Sequence, residues 1–277
     1  MTTIPGFDTH RIPVADSVRL NVAVGGHGRP IVLLHGFPQT HVMWRHVAQD
    51  LARDHTVICP DLRGYGASDK PDHGYDKRTM AADVVAVTAG LGHHEFELAG
   101  HDRGALVAFR AGLDHPDKIT RLTCLDVLPT LDMWDVMHGT TAAVGFHLYL
   151  MAQPPGLPEQ LIAAAPDLFF GYFLDAWTRD DTAIPPDIRA HYLEACRDAI
   201  PSIVADYRAS ATIDVEHDTA DKGKQLQMPV TVLQQDWGFG GEDLWRAWAP
   251  KLDHRTVNCG HFMAEEDPKL IADVLRA

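Results

Sequence analysis

The sequence predicts an α/β fold: a mostly parallel sheet flanked by helices and split by a helical insertion. Three observations predict it. Short apolar runs alternate with helical segments up to about residue 129, the alternation vanishes through a helix-rich middle, and strand-like runs return near the C-terminus. A chain of 277 residues is long enough for one large core carrying an inserted piece.

The elements follow in order. Ile31-Val32-Leu33-Leu34 and Thr56-Val57-Ile58-Cys59 read as buried strands. Val42 to Ala52 between them has helical spacing, and Lys77 to Ala89 is a second helix closed by Gly90 and Gly92. Phe96-Glu97-Leu98-Ala99 leads into Gly100-His101-Asp102-Arg103-Gly104, and Ala105 to Arg110 continues as helix. Leu122-Thr123-Cys124-Leu125 is the next strand. From residue 130 to 215 the chain is rich in helix formers, aromatics and prolines, with helices expected at Pro158 to Ala165 and Pro186 to Ala199. Val230 to Leu233 and Arg255 to Val257 restore strand character. The expected organisation is a core of residues 1–129 and 216–277 with a cap of residues 130–215.

Composition narrows the function. The net charge of −14 argues against nucleic acid as a partner. Hydrophobic content of 45% with 22% charged residues is that of a globular protein, and no apolar run reaches membrane-spanning length. Cys59, Cys124, Cys196 and Cys259 form no C-x-x-C pair, and the first residues lack the features of a signal peptide, so a cytoplasmic, reducing setting is expected.

Gly100–Gly104 has the form G-x-Nuc-x-G between strand and helix, with aspartate at the nucleophile position. A carboxylate nucleophile forms an ester that water must later hydrolyse. Esters and amides gain little from that route, whereas epoxides and alkyl halides, which react at sp³ carbon, gain much. Such chemistry needs a base for water, an acid to orient it, an oxyanion hole and donors for the leaving atom. His261, in Gly260-His261-Phe262 after the last strand, is the candidate base. The orienting acid is Asp126, after the Leu122–Leu125 strand, or Asp236, after the Val230–Leu233 strand; position favours Asp126. The backbone N–H groups of Phe37 and Arg103 suit an oxyanion hole, with Pro38 offering a cis bond after Phe37. His147 and Tyr207 in the cap are candidate leaving-atom donors, or packing residues; Trp177 lines the pocket or packs the core. Asp61 to Gly66 reads as a structural loop, His93-His94 lacks a second metal-ligand pair, and the glycine-rich Trp237 to Gly241 lacks the G-K-[ST] of a phosphate loop. No cofactor or metal is expected.

Together His35-Gly36-Phe37-Pro38-Gln39-Thr40, the Gly100–Gly104 motif, Leu125–Thr130, Ala152-Gln153-Pro154, Asp206-Tyr207-Arg208 and Gly260-His261-Phe262 make the chain resemble the epoxide hydrolase and haloacetate dehalogenase branch of the α/β-hydrolase superfamily. The resemblance spans nearly the whole chain. It implies the α/β-hydrolase fold, Asp102 as nucleophile, His261 as base, Asp126 as acid, and His147 with Tyr207 as leaving-group donors. It also implies a small-molecule substrate, and the branch admits a homodimer. Fluoroacetate dehalogenases of this branch hold the substrate carboxylate with two arginines, at the positions of Arg103 and Leu106, and carry tryptophan at the position of Leu148. Here the second arginine and that tryptophan are replaced by leucines, which make the pocket more apolar. The leading expectation is therefore an epoxide hydrolase. The alternative is a haloacid dehalogenase with Arg103 as its carboxylate clamp, and a third reading is a non-catalytic receptor with the same fold.

Overall fold

A computed structural model describes residues 3–236 and 241–277, apart from the side chain of Asp16. Most of the glycine-rich stretch, residues 237–240, lies outside the described residues. Eight strands form one sheet: β1 (Asp8–Pro13), β2 (Arg19–Gly26), β3 (Arg29–Leu34), β4 (His55–Pro60), β5 (Phe96–His101), β6 (Ile119–Leu125), β7 (Val230–Gln235) and β8 (Leu252–Val257). Their spatial order is β1-β2-β4-β3-β5-β6-β7-β8. β1 and β2 run antiparallel, as do β2 and β4, while every pairing from β4 to β8 is parallel.

The central strands are covered on both faces and so read as unbroken apolar runs. Val32, Leu33 and Leu34 of β3 are wholly buried, as are Ala99 of β5 and Leu122 of β6. Each large side chain so buried contributes about 1.5–3 kcal/mol. The two leading strands behave differently. β1 is exposed at five of its six positions, and β2, buried from Leu20 to Ala23, has its apolar run broken by Asn21. The polar sequence Asp8-Thr9-His10-Arg11 suits an edge strand, where charge discourages pairing with other chains.

Between β6 and β7 the described chain is helical, from Thr130–Val136 to Ile213–Ala220. Helices Leu157–Ala164, Pro166–Ala176, Pro186–Arg197 and Ile200–Ser210 each have proline in their first turn, where the missing N–H costs nothing. The same prolines cannot continue a preceding helix, which keeps the elements short. A buried ionic cluster ties this inserted region to the sheet. Asp206 of the insertion meets Arg103 and Lys77 of the core and accepts a 2.6 Å hydrogen bond from the Tyr65 hydroxyl.

Candidate active site

Parallel strands gather their C-terminal ends along one edge, where open α/β sheets place their ligands. Phe37 follows β3, Asp102 follows β5, Asp126 follows β6 and His261 follows β8. Four residues far apart in sequence therefore meet by topology alone.

Asp102 sits at the turn between β5 and the helix Arg103–Asp114, with φ 46° and ψ −115°. A left-handed φ is strained for a residue with a side chain, so the surroundings must hold it there. Tight backbone approach does so: a Cβ on Gly104 would lie 2.5 Å from the carbonyl oxygens of His35 and Leu34. Only glycine lets this helix start so close to β3. The Phe37 N–H donates to Asp102 Oδ2 at 2.8 Å, and the Arg103 N–H also bonds this carboxylate. The peptide between Phe37 and Pro38 is cis. Burial pushes the Asp102 carboxyl above its ordinary range, opposed by the charges of His261 and Arg103 and by the two N–H donors.

His261 is buried, and its Nδ1 lies 2.6 Å from Asp126 Oδ2. Asp126, also at positive φ (51°), accepts further bonds from the Gln235 backbone N–H (2.9 Å) and side-chain Nε2 (2.8 Å). The carboxylate on His261 is thus that of Asp126, not Asp236. Burial alone would depress the His261 imidazole, but the bond and charge of Asp126, with the charges of Asp102 and Glu266, leave it above its ordinary value. Nε2, the other ring nitrogen, is buried and has no hydrogen-bond partner among the described residues. An orphaned buried nitrogen asks for a partner the folded chain does not supply, and a water or reactant meets that need. Behind it, His101 sends Nε2 to the His261 carbonyl at 2.8 Å and burial holds its imidazole well below the ordinary value.

The insertion closes the site with aromatic rings. His147 stacks on Phe37 with centroids 6.0 Å apart and lies 4.9 Å from Phe173, 5.2 Å from Trp177 and 5.5 Å from Tyr207. Burial, with the charges of Arg103 and His261, pushes His147 down to about 3, so it is a neutral imidazole near pH 7. Burial raises the Tyr207 phenol, reinforced by the charge of Asp102, so its O–H stays protonated. A cavity of about 390 Å³ opens beside these groups. Asp102, Asp126, His147 and His261 line it. Met133, Met137, Val144, Leu148 and Trp177 supply an apolar wall.

Three residues expected on the substrate surface are not on this wall. Leu106 is a correction: it belongs to the hydrophobic core, one helical turn beyond Asp102. Arg103 is a second. Its Nε and Nη2 bond Asp206, and Nη2 also bonds Ser210 Oγ at 2.7 Å. A buried guanidinium needs a carboxylate, and Asp206 provides it. Tyr207 packs its ring against Phe37 at 5.3 Å and under the Arg103 guanidinium at 4.1 Å, with its phenol in the field of Asp102. Sequence reasoning missed Met133, Met137 and Gln235. Met133 lies in, and Met137 caps, a short helix whose inward face no motif marks, and Gln235 reaches Asp126 only because β6 and β7 are neighbours.

The match to the alpha/beta hydrolase fold runs over residues 29–268. The chain belongs to the alpha/beta hydrolase family. It is 39% identical to a fluoroacetate dehalogenase of Burkholderia sp, over 98% of this chain and 93% of that one. It is 32% identical to a soluble epoxide hydrolase of Corynebacterium sp. (strain C12), over 96% and 95% of the two chains. A solved structure from Pseudomonas aeruginosa, provisionally described as an epoxide hydrolase, is 36% identical and covers 100% of this chain and 96% of its own, with a TM-score of 0.94. A mutant of that protein has been solved with bound MFA. The chain is thus an alpha/beta hydrolase of the epoxide hydrolase and fluoroacetate dehalogenase branch. No helix among the described residues is long and apolar enough to cross a membrane.

Proposed function

We propose that this protein is an epoxide hydrolase working through an ester on Asp102. The observation that carries the reading is the Asp102 carboxylate itself: one oxygen already accepts the Phe37 N–H, the donor that an oxyanion on that same oxygen will need. The other oxygen attacks the less hindered epoxide carbon. The carbon–oxygen bond of the ring breaks as Tyr207 and His147 donate to its oxygen, which takes the Tyr207 proton and stays on the neighbouring carbon. Water then attacks the ester carbonyl carbon of Asp102. His261 Nε2, its ring oriented by Asp126, takes the water proton. The Phe37 and Arg103 N–H groups hold the tetrahedral oxyanion; its collapse breaks the ester bond, His261 returns its proton to the leaving alkoxide to complete the diol, and the proton left on the Asp102 carboxyl passes back to the Tyr207 oxygen.

The surroundings favour an epoxide over a haloacid. Asp206 already holds the Arg103 guanidinium, Leu106 faces the core, and the cavity wall is mostly apolar. A volume of about 390 Å³ also exceeds what a two-carbon acid fills and falls within the roughly 300–1,000 Å³ typical of sites for larger ligands. The haloacid dehalogenase remains the second reading, carried by the 39% identity to a fluoroacetate dehalogenase.

The test offers styrene oxide and chloroacetate separately to the purified protein. Diol formation without chloride release is expected, and Asp102→Asn abolishes it. Chloride release without diol transfers the assignment to the haloacid reading.

A further inference from the structure

The short helix Met263–Glu266 ends on a carboxylate. Glu266 is half-buried and its carboxylate faces two backbone N–H groups from different parts of the fold. Gly260 N–H donates to Oε2 at 2.9 Å, and Arg179 N–H approaches both oxygens at 3.3 Å. Gly260 precedes the candidate base; Arg179 belongs to the segment Trp177-Thr178-Arg179 that leaves the helix Pro166–Ala176. Other contacts join the same two segments. His261 N–H donates to the Trp177 carbonyl at 2.9 Å, and Arg179 Nη1 donates to Asn258 Oδ1 at 2.7 Å. The fit leaves no slack: a Cβ on Gly260 would stand 2.6 Å from the Trp177 carbonyl oxygen and 2.9 Å from Arg179 N. The Trp177 ring then lies between the two histidines of the site, 4.9 Å from His261 and 5.2 Å from His147.

We propose that Glu266 is a positioning residue that clamps the 177–179 strap of the inserted region to the loop carrying His261, so that hydrolysis of the ester depends on the clamp and formation of the ester does not. The asymmetry follows from what each step uses. Asp102 is held by the β5 turn and by the Phe37 and Arg103 N–H groups; His147, the one group of that step beside the strap, is held on its other sides by Phe37, Phe173 and Tyr207. His261 has Asp126 on Nδ1, but its backbone is anchored through Trp177, and the Gly260 turn before it is anchored through Glu266. If the clamp opens, the ring keeps its acid and loses its aim at the ester carbonyl. Displacements of about 1 Å in such a group cost on the order of a hundredfold in rate. Glu266 also adds its charge to those of Asp126 and Asp102 in stabilising the His261 imidazolium, with the neutral His101 ring 4.5 Å away on the other side.

The proposal rests on Asp102 as nucleophile and His261 as base, and the experiment separates the two claims. The full chain is mixed with styrene oxide, quenched at intervals, and the ester on Asp102 followed by intact mass. Glu266→Ala is expected to form the ester at the wild-type rate, hydrolyse it about ten- to hundredfold more slowly, and lower kcat and KM together as the ester accumulates. Glu266→Gln keeps an acceptor oxygen and is expected to recover most of the hydrolysis rate. Its acidic limb moves to lower pH, because losing the negative charge makes the imidazolium easier to deprotonate. The Gln variant also serves if the Ala variant does not fold. Equal slowing of both steps in Glu266→Ala, or an unmoved limb in Glu266→Gln, overturns the clamp. If neither the wild type nor His261→Gln ever carries an ester, the two-step mechanism falls and the clamp with it.

Discussion

The half of the site carried by the sheet and the half carried by the inserted helices are built on different principles. On the sheet side every group is fixed by backbone. Asp102 and Asp126 stand at positive φ at strand ends, each accepts main-chain N–H bonds, and Gly104 allows the only backbone approach that fits. On the inserted side the groups are held by ring packing. His147 touches Phe37, Phe173, Trp177 and Tyr207, while its Nδ1 has no hydrogen-bond partner among the described residues. Backbone geometry tolerates little change and so preserves a reaction; side-chain packing can be rebuilt residue by residue and so adjusts what enters.

The largest test of this contrast removes the proposed base. His261→Gln is expected to lower kcat by about 10⁴ or more while the ester still forms, because only the second step needs the imidazole. Intact mass after addition of styrene oxide reads this directly, and a variant unable to form the ester would break the division of labour. Next comes the other half. Tyr207→Phe is expected to slow ester formation by about 10²–10³, the loss typical of one oxyanion-type donor, with hydrolysis of the preformed ester unchanged. His147→Phe belongs to the same step, and pre-steady-state quench measurements on both variants check that they share it. The smallest effect is in pH. His261 is raised above its ordinary 6.5, so in the free enzyme it titrates above that value and loses its proton only as pH rises through it. Esterification neutralises Asp102 and removes one of the charges that raise it. The acidic limb of kcat is therefore expected below the titration of His261 seen by NMR in the free protein. His147, at about 3, is expected to contribute no limb between pH 5 and 9.

How legible each part was in the sequence follows the same line. The strands from β3 to β7 were readable because burial demands largely apolar runs, and the elbow because a strained turn demands its glycines; β8, Leu252-Asp253-His254-Arg255-Thr256-Val257 with no buried residue, showed only a short strand-like end. β1 and β2 were not readable, since an antiparallel edge pair needs no such run. Between Asp126 and Asp236 position favoured Asp126 without deciding it, because both follow parallel strands; Asp126 reaches His261 Nδ1, a contact set by the order of strands rather than by local pattern. Pairing of Arg103 with Asp206 spans 103 residues and has no local signature. The one available clue was physical: an arginine at the start of a helix that packs wholly inside the protein must find a carboxylate. Glu266 offered less, because its partners are main-chain N–H groups, which every sequence possesses.

The cluster around Arg103 has a further consequence. Arg103 and Lys77 face Asp206 and Asp214, two cations against two anions, and all four are buried. Their fields cancel within the protein, while the chain as a whole carries −14. Nothing therefore draws a negatively charged reactant from a distance, and an uncharged one is neither drawn nor repelled. For a neutral epoxide the rate of encounter is set by diffusion into the cavity mouth, the same in dilute buffer as in concentrated salt.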